Sequence, residues 1–333
     1  MSARIFTIPN WTTTLLGLFL IFNSTSPTCA QDEPRVKLTF AYSAVTGANY
    51  GTLIALDAGL FKKNGLDVQA VLIQSTAFTT AALLSGQVQL VIANAIGALS
   101  AYKSGVKDMI VLGTTSDKFH FSLFSHPRIK TAKELVGAKI GITRRGGSLD
   151  NGVRFALSES GLDPDRDKIV FLQAGTQVDR LNALSKGVID ATVFQGVFKL
   201  RAAQLGFREL IDLADTGIRF PQSSIITTKQ YLKLNRNGVT GFLKSYIEGM
   251  RLYIQNPQLA QRVASKYTGV KDPALLEADY RDWARVLLRV PVTEFEPIAT
   301  ALQTIGVTDP REQKEIFSAV VDNSIVEAIA GAK

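Results

Sequence analysis

From Val36 onward the chain alternates between two hydrophobic rhythms. VKLTFAYS (36–43) switches between apolar and polar residues with the period of a strand. ANYGTLIALDAGLFKKNG (48–65) then places Leu53, Leu56, Leu60 and Phe61 at helical spacing, with Gly65 as its cap. LDVQAVLI, VQLVIAN and DMIVLGTT continue as strands, separated by helices in TAFTTAALLSG and IGALSAYKSG. Strands alternating with helices of about ten residues predict a parallel, doubly wound α/β sheet.

After FHFSLFSH (119–126) the pattern starts over. AKIGIT, KIVFLQ and IDATVFQ read as strands, interleaved with helices in SLDNGVRFALSESG, VDRLNALSKG and GVFKLRAAQLG, the last followed by ELIDLA. SSIITTKQYL (223–232) returns as an extended segment, and from about residue 228 the character is helical. Asn256-Pro257, Asp272-Pro273 and Asp309-Pro310 each set a capping side chain before a proline at the first helical position. Those helices are expected to pack on the first lobe. An internal echo supports two related lobes: ALLSGQVQLVIAN (82–94) aligns with ALSKGVIDATVFQ (183–195), each a helix end, a glycine, a strand and a terminal amide. The expected organisation is lobe I from 31–117 plus 222–333 and lobe II from 118–221, with crossings near 115–121 and 218–226.

Residues 1–30 are different material. Arg4 is their only charged side chain, LLGLFLIF (15–22) is an apolar block, and STSPTCA closes the segment. That order predicts a secretory signal peptide cleaved after Ala30. Eight apolar residues fall short of the roughly 20 that a membrane-spanning helix needs, which leaves a retained anchor the weaker alternative. Cys29 is the only cysteine in the chain, and Ser26 stands where a lipoprotein signal requires an apolar residue. The exported chain therefore has no disulfide, no thiolate nucleophile and no cysteine-ligated zinc.

The net charge of +8 drops to +7 when Arg4 leaves with the signal. A basic surface concentrates small anions. No dense basic run with interleaved aromatics is present, which speaks against nucleic-acid binding. No phosphate loop or nucleophile elbow is present either.

Ligands of open α/β sheets bind beyond the carboxyl ends of the strands, where helix N-termini offer free N–H groups and partial positive charge. In this chain those turns are polar and small. Ser43, Thr46, Asn49 and Tyr50 follow the first strand; Ser75 and Thr76 the second; Asn94 the third; Thr115 the fourth. In the second lobe Thr143, Arg144, Arg145, Gly146, Gly147 and Ser148 form the corresponding turn, and Gln195 closes a later strand. Such residues also serve as ordinary helix caps, so the candidate site rests on their convergence. The glycines admit close backbone approach and one arginine can grip an anion bidentately, Arg145 being favoured for its proximity to the glycines.

GLFKKNGLDV (59–68), LLSGQVQLVIAN (83–94) and ELVGAKIGI (134–142) resemble the substrate-binding proteins of ABC importers, in the SsuA/TauA/nitrate-binding and NMT1/THI5-like branch. The likeness runs from about Arg35 to the C-terminal helices. It implies a type II periplasmic-binding-protein fold and capture of a small molecule between lobes joined by a two-segment hinge. The implied partners are a membrane permease and its cytoplasmic ATPase, with no cofactor, no metal and a monomeric chain. The loops at 43–50, 75–76, 94 and 143–148 match the family's ligand-contacting positions. SAVTGANYG replaces the aromatic and proline that many members carry after the first strand, which leaves the ligand open. Two other readings stand beside transport: a sensing subunit for a membrane receptor, and an exported enzyme using His120, aided by Asp117.

Overall fold

The computed structural model describes residues 35–73, 76–145 and 148–331. The signal segment at 1–30, Ser75, Gly146 and Gly147, together with the side chain of Ser148, lie outside the described residues.

The first run of elements is β1 (Val36–Tyr42), α1 (Gly47–Asp57), α2 (Leu60–Lys63), β2 (Leu66–Leu72), α3 (Thr76–Leu84), β3 (Leu90–Ala93), α4 (Ile96–Lys103) and β4 (Met109–Lys118). Gly59, at φ 70°, breaks the expected single helix between α1 and α2 in a left-handed turn that a side chain would strain. The second run is β5 (Ser122–Ser125), β6 (Lys139–Ile142), α5 (Ser148–Glu159), β7 (Val170–Gln173), α6 (Gln177–Ser185), β8 (Ala191–Phe194), α7 (Val197–Gln204) and β9 (Arg208–Asp212). The chain returns through β10 (Arg219–Thr228) and ends in α8 (Lys229–Leu234), α9 (Arg236–Gln255), α10 (Pro257–Thr268), α11 (Pro273–Ala284), α12 (Phe295–Thr304), α13 (Pro310–Val320) and α14 (Ser324–Gly331).

Two five-stranded sheets result, ordered β2-β1-β3-β10-β4 and β7-β6-β8-β5-β9. Each has the pattern second, first, third, visitor, fourth. The visitors are the strands that follow a crossing: β10 runs antiparallel between β3 and β4, and β5 runs antiparallel between β8 and β9. The sheets are therefore mixed, where alternation alone predicts parallel ones. A strand arriving from the other lobe enters from the opposite end, so periodicity carries no sign of its direction. The two segments aligned from sequence end in β3 and β8, which hold equivalent places in the two sheets.

Asn256, Asp272 and Asp309 cap their proline-led helices through Oδ1, which accepts from Leu259, Ala274 and Arg311 N–H at 2.9, 2.9 and 2.7 Å. One face of the first sheet buries Phe40 against Phe242 and Phe61 against Phe242, with ring centroids 5.4 and 5.2 Å apart. On the other side one continuous core runs from Val91 and Val111 through Phe119, Phe121 and Phe220 to Ile140 and Val193 of the second sheet. Phe119 and Phe220, one from each crossing, stack at 4.2 Å. Arg219 binds Asp117 beside them and reaches Glu294 at 2.5 Å. Among the described residues no helix is long and apolar enough to cross a membrane.

The C-terminal helices do not all stay with the first sheet. α9 lies along α1, but α11 also packs on α7 of the second. The α1–α9 crossing is close because glycines meet there: a Cβ on Gly249 would overlap the Gly51 carbonyl oxygen, a backbone atom that cannot swing away. Gly249→Ala is expected to lower unfolding free energy by about 1–3 kcal/mol in chemical denaturation. Gly238→Ala, whose nearest neighbour is a Val36 methyl 3.2 Å away, is expected to be neutral or to gain up to about 1 kcal/mol from helix propensity. Equal losses at both sites would contradict this packing.

Candidate functional site

The carboxyl ends of the parallel strands in both sheets open onto a cavity of about 340 Å³. α1, α3, α5, α6 and α7 each contribute a cap or first-turn residue to its lining: Thr46, Thr76, Leu149, Thr176 and Phe198, with Gln195 just before the cap of α7. Helix starts thus converge there with their partial positive charge and free N–H groups.

Of the residues singled out from sequence, Ser43, Thr46, Asn49, Thr76, Thr143, Arg144 and Gln195 line this cavity. Asn49 is fixed by its Nδ2, which donates to Ala44 O at 2.8 Å, leaving Oδ1 buried without a partner. Four others are placed elsewhere. Tyr50 is buried in the core against Tyr253, ring centroids 6.2 Å apart. Asn94 caps α4, its Oδ1 accepting from Ile96 N–H at 2.8 Å, and stands behind Gln222, which does line the cavity. Thr115 is sealed between strands, donating to Ser223 O at 3.1 Å. Arg145 is exposed and outside the lining. Arg144, rather than the Arg145 favoured from sequence, takes the cavity side, where Phe78 supports it with its ring centroid 4.3 Å from the guanidinium carbon. Phe78 is 53% exposed at the start of α3, so this contact joins the first sheet's helix to the second sheet's turn.

Sequence reasoning missed the most telling residue. Arg180 in α6 is only 2% exposed. Its Nη1 donates to Thr143 Oγ1 at 3.0 Å and Gly175 O at 2.7 Å, and Nη2 donates to Val193 O at 3.2 Å. All three acceptors are neutral, and Nε has no partner. Burial lowers its pKa to about 10, only partly opposed by the charge of Asp179. That carboxylate is committed to the capping box with Thr176. A cue for Arg180 existed in that box: Thr176 and Asp179 start a helix directly after a strand, which turns position 180 toward the strand ends.

Trp283, Tyr267 and Thr268 also line the cavity, from α10 and α11. Nothing in the periodicity of those helices says that they reach across to it. Taken together, the lining holds two arginines and, among the described residues, no aspartate or glutamate. His120 is not part of it; the ring is fully buried beneath Trp283, centroids 4.0 Å apart.

A family model described as NMT1/THI5 like matches residues 48–260. The chain belongs to that family. A comparison with curated proteins finds no sequence match. Among solved structures, a Bordetella bronchiseptica protein superposes with a TM-score of 0.76 at 20% identity, covering 89% of this chain and 97% of that one. The periplasmic aliphatic sulphonate binding protein SsuA from Escherichia coli gives 0.66 at 22% identity, covering 86% and 95%. The periplasmic nitrate-binding protein NrtA from Synechocystis gives 0.66 at 12% identity, covering 90% and 89%. These likenesses establish the periplasmic-binding-protein fold for this NMT1/THI5-like chain, with its two mixed α/β sheets and helical C-terminal region.

The Phe78–Arg144 contact is half in water, where such a pair contributes about 0.5–1 kcal/mol. A double-mutant cycle of Phe78→Ala with Arg144→Ala, read by denaturation, is expected to return a coupling of that size. The same cycle with Arg145→Ala is expected to return none, and coupling to Arg145 would reverse the assignment.

Proposed function

We propose that the chain is the extracytoplasmic solute-binding component of an ABC-type importer and that it captures a small organic anion. Arg180 carries this reading. A guanidinium removed from water loses several kcal/mol of solvation, and neutral carbonyls do not supply the missing counter-charge. Arg180 lines the cavity with a guanidinium whose Nε is sealed from water and lacks a partner, a cation suited to an anionic ligand, and Arg144 adds a second.

Size and charge narrow the class further. A cavity of about 340 Å³ is about twice the engineered pocket of roughly 150 Å³ that accommodates benzene. Nitrate, with four heavy atoms, would leave most of it to water. Val45, Leu149, Val178, Phe198 and Trp283 give an organic body apolar walls. An ammonium group would find no carboxylate there, which favours a plain anion over a zwitterion. The neighbours named as aliphatic sulphonate-binding and nitrate-binding proteins are consistent with this chemistry. The family and these neighbours also favour transport over catalysis, and His120 has no route to a substrate from beneath Trp283.

In this reading the mature chain begins after Ala30 and works in the periplasm. Lobe I (31–117 plus 222–333) and lobe II (118–221) close on the ligand by hinge motion at the crossings, and the closed form docks on a permease served by a cytoplasmic ATPase.

A thermal-shift panel tests the ligand class. Alkane- and arenesulfonates and carboxylates are expected to raise the melting temperature, since ligand binds only the native state; saturation at 100 times Kd stabilises by about 2.7 kcal/mol. Nitrate, taurine and neutral pyrimidines are expected to give smaller shifts. Arg180→Met is expected to weaken the best anion at least ten-fold, about 1.4 kcal/mol. A neutral or zwitterionic ligand that outperforms every anion, or an unchanged shift in Arg180→Met, would contradict the proposal.

A further inference from the structure

Under the cavity, one helix of the C-terminal region touches both lobes. α11 packs on α1 and on α7, and three of its side chains make the connection. Trp283, 1% exposed, lines the cavity with one edge and lies over Gly47 at the start of α1, where a Cβ would overlap its ring. Asp282 Oδ2 stands 2.9 Å from His120 Nε2 in the crossing between β4 and β5, and its Oδ1 accepts from Arg285 at 2.6 Å. Asp279, one turn before Trp283 and 1% exposed, meets the start of α7. Gly196, at φ 54°, precedes that turn and leaves no room for a Cβ beside Asp279 Oδ1.

We propose that Asp279 is a positioning residue of the binding site, holding the first turn of α7, with Gln195 and Phe198, against Trp283 so that walls supplied by the two lobes keep their register. This inference rests on the cavity being the ligand site. A carboxylate at a helix start is favoured by the helix dipole and the free N–H groups. Yet this one is sealed from water, and the cluster is only partly satisfied: Asp279 Oδ2, Trp283 Nε1 and His120 Nδ1 lack well-formed hydrogen bonds. Low surrounding dielectric makes such a cluster sensitive to one proton.

The groups facing it are Tyr50 from α1, Tyr253 from α9, the Val197 N–H from α7, and Asp282 and Trp283 from its own helix. Lys199 of α7, His120 and Arg285 act on the adjoining Asp282. For Asp282, burial opposes the charge, but His120, Lys199 and Arg285 together hold the carboxyl well below the usual range. For Asp279, burial, with the charge of Asp282 adding to it, outweighs the neighbouring Tyr50, Val197 and Trp283 donors and raises the pKa to about 7. A carboxyl whose pKa rises on folding takes up a proton on folding, so its contribution to stability is lost as pH increases toward and through that value. The grip on α7, by contrast, tightens as Asp279 ionises.

The chain has two tryptophans, Trp11 and Trp283, so Trp11→Phe leaves Trp283 as the sole reporter in the full chain. Its emission maximum in ligand-free protein is expected to titrate between pH 5.5 and 8.5 with a midpoint near 7, to be flat when Asp279→Asn is added, and to persist when His120→Gln is added instead. Tyr50→Phe, which removes a neighbouring donor that favours the ionised carboxylate, is expected to move the midpoint upward; it serves as the deciding variant if Asp279→Asn does not fold. In parallel, the Kd for benzenesulfonate is expected to vary with pH in the parent and not in Asp279→Asn. A transition that survives Asp279→Asn, disappears in His120→Gln, or ignores Tyr50→Phe overturns the assignment. Absence of benzenesulfonate binding at every pH would instead tell against the anion reading, while the ligand-free titration still decides the role of Asp279.

Discussion

A guanidinium buried without a counter-ion is the constraint on which the site depends. Arg180 is held by Thr143, Gly175 and Val193, which sit at or just beyond the ends of β6, β7 and β8. Those strands are neighbours only because β6 lies between β7 and β8 in the sheet. The strand order thus assembles a cage of neutral oxygens around a cation and leaves its Nε unpartnered. An acid in place of Thr143 would satisfy the charge internally and, in the proposed reading, remove the reason for an anion to enter. Among the described residues, the lining's lack of carboxylates is therefore as informative as its two arginines.

The same topology explains why the opposing wall exists at all. Both sheets follow one order with a single visiting strand, so both present strand ends and helix starts to the same space. Asn94 and Gln195 close equivalent strands, but their roles have diverged: Asn94 caps α4 behind Gln222, and Gln195 reaches the cavity. α11 is an addition outside this repeat. Its Trp283 and Asp279 occupy space that Gly47 and Gly196 leave open, which ties the C-terminal helices to the site and to both lobes.

Much of the architecture was legible because strand and helix periods differ and each half repeats the alternation. The proline-led helix starts were legible from single residues, since Asn256, Asp272 and Asp309 have little else to do before a proline. The direction of β5 and β10 was hidden, because alternation records spacing and not polarity. Within the cavity, the turn beginning at Thr143 was recognisable by its residue types, yet the placing of Arg144 on the cavity side goes with Phe78, a neighbour distant in sequence. Arg180 looked like one polar position on a helical face; the capping box at Thr176 and Asp179 sets where that face starts, but tertiary packing decides that the side chain is buried. Trp283 and Tyr267 were beyond reach for the same reason, since a helix pattern reports how much of its surface is apolar and not which partner covers it.

A crystal structure of the protein grown with benzenesulfonate or a similar organic anion addresses the central claim directly. Density for the anion is expected with its charged group against the Arg180 guanidinium, among Thr143, Arg144 and the helix starts, and its body toward Trp283. An anion bound elsewhere, with Arg180 still held only by Thr143, Gly175 and Val193, would contradict it.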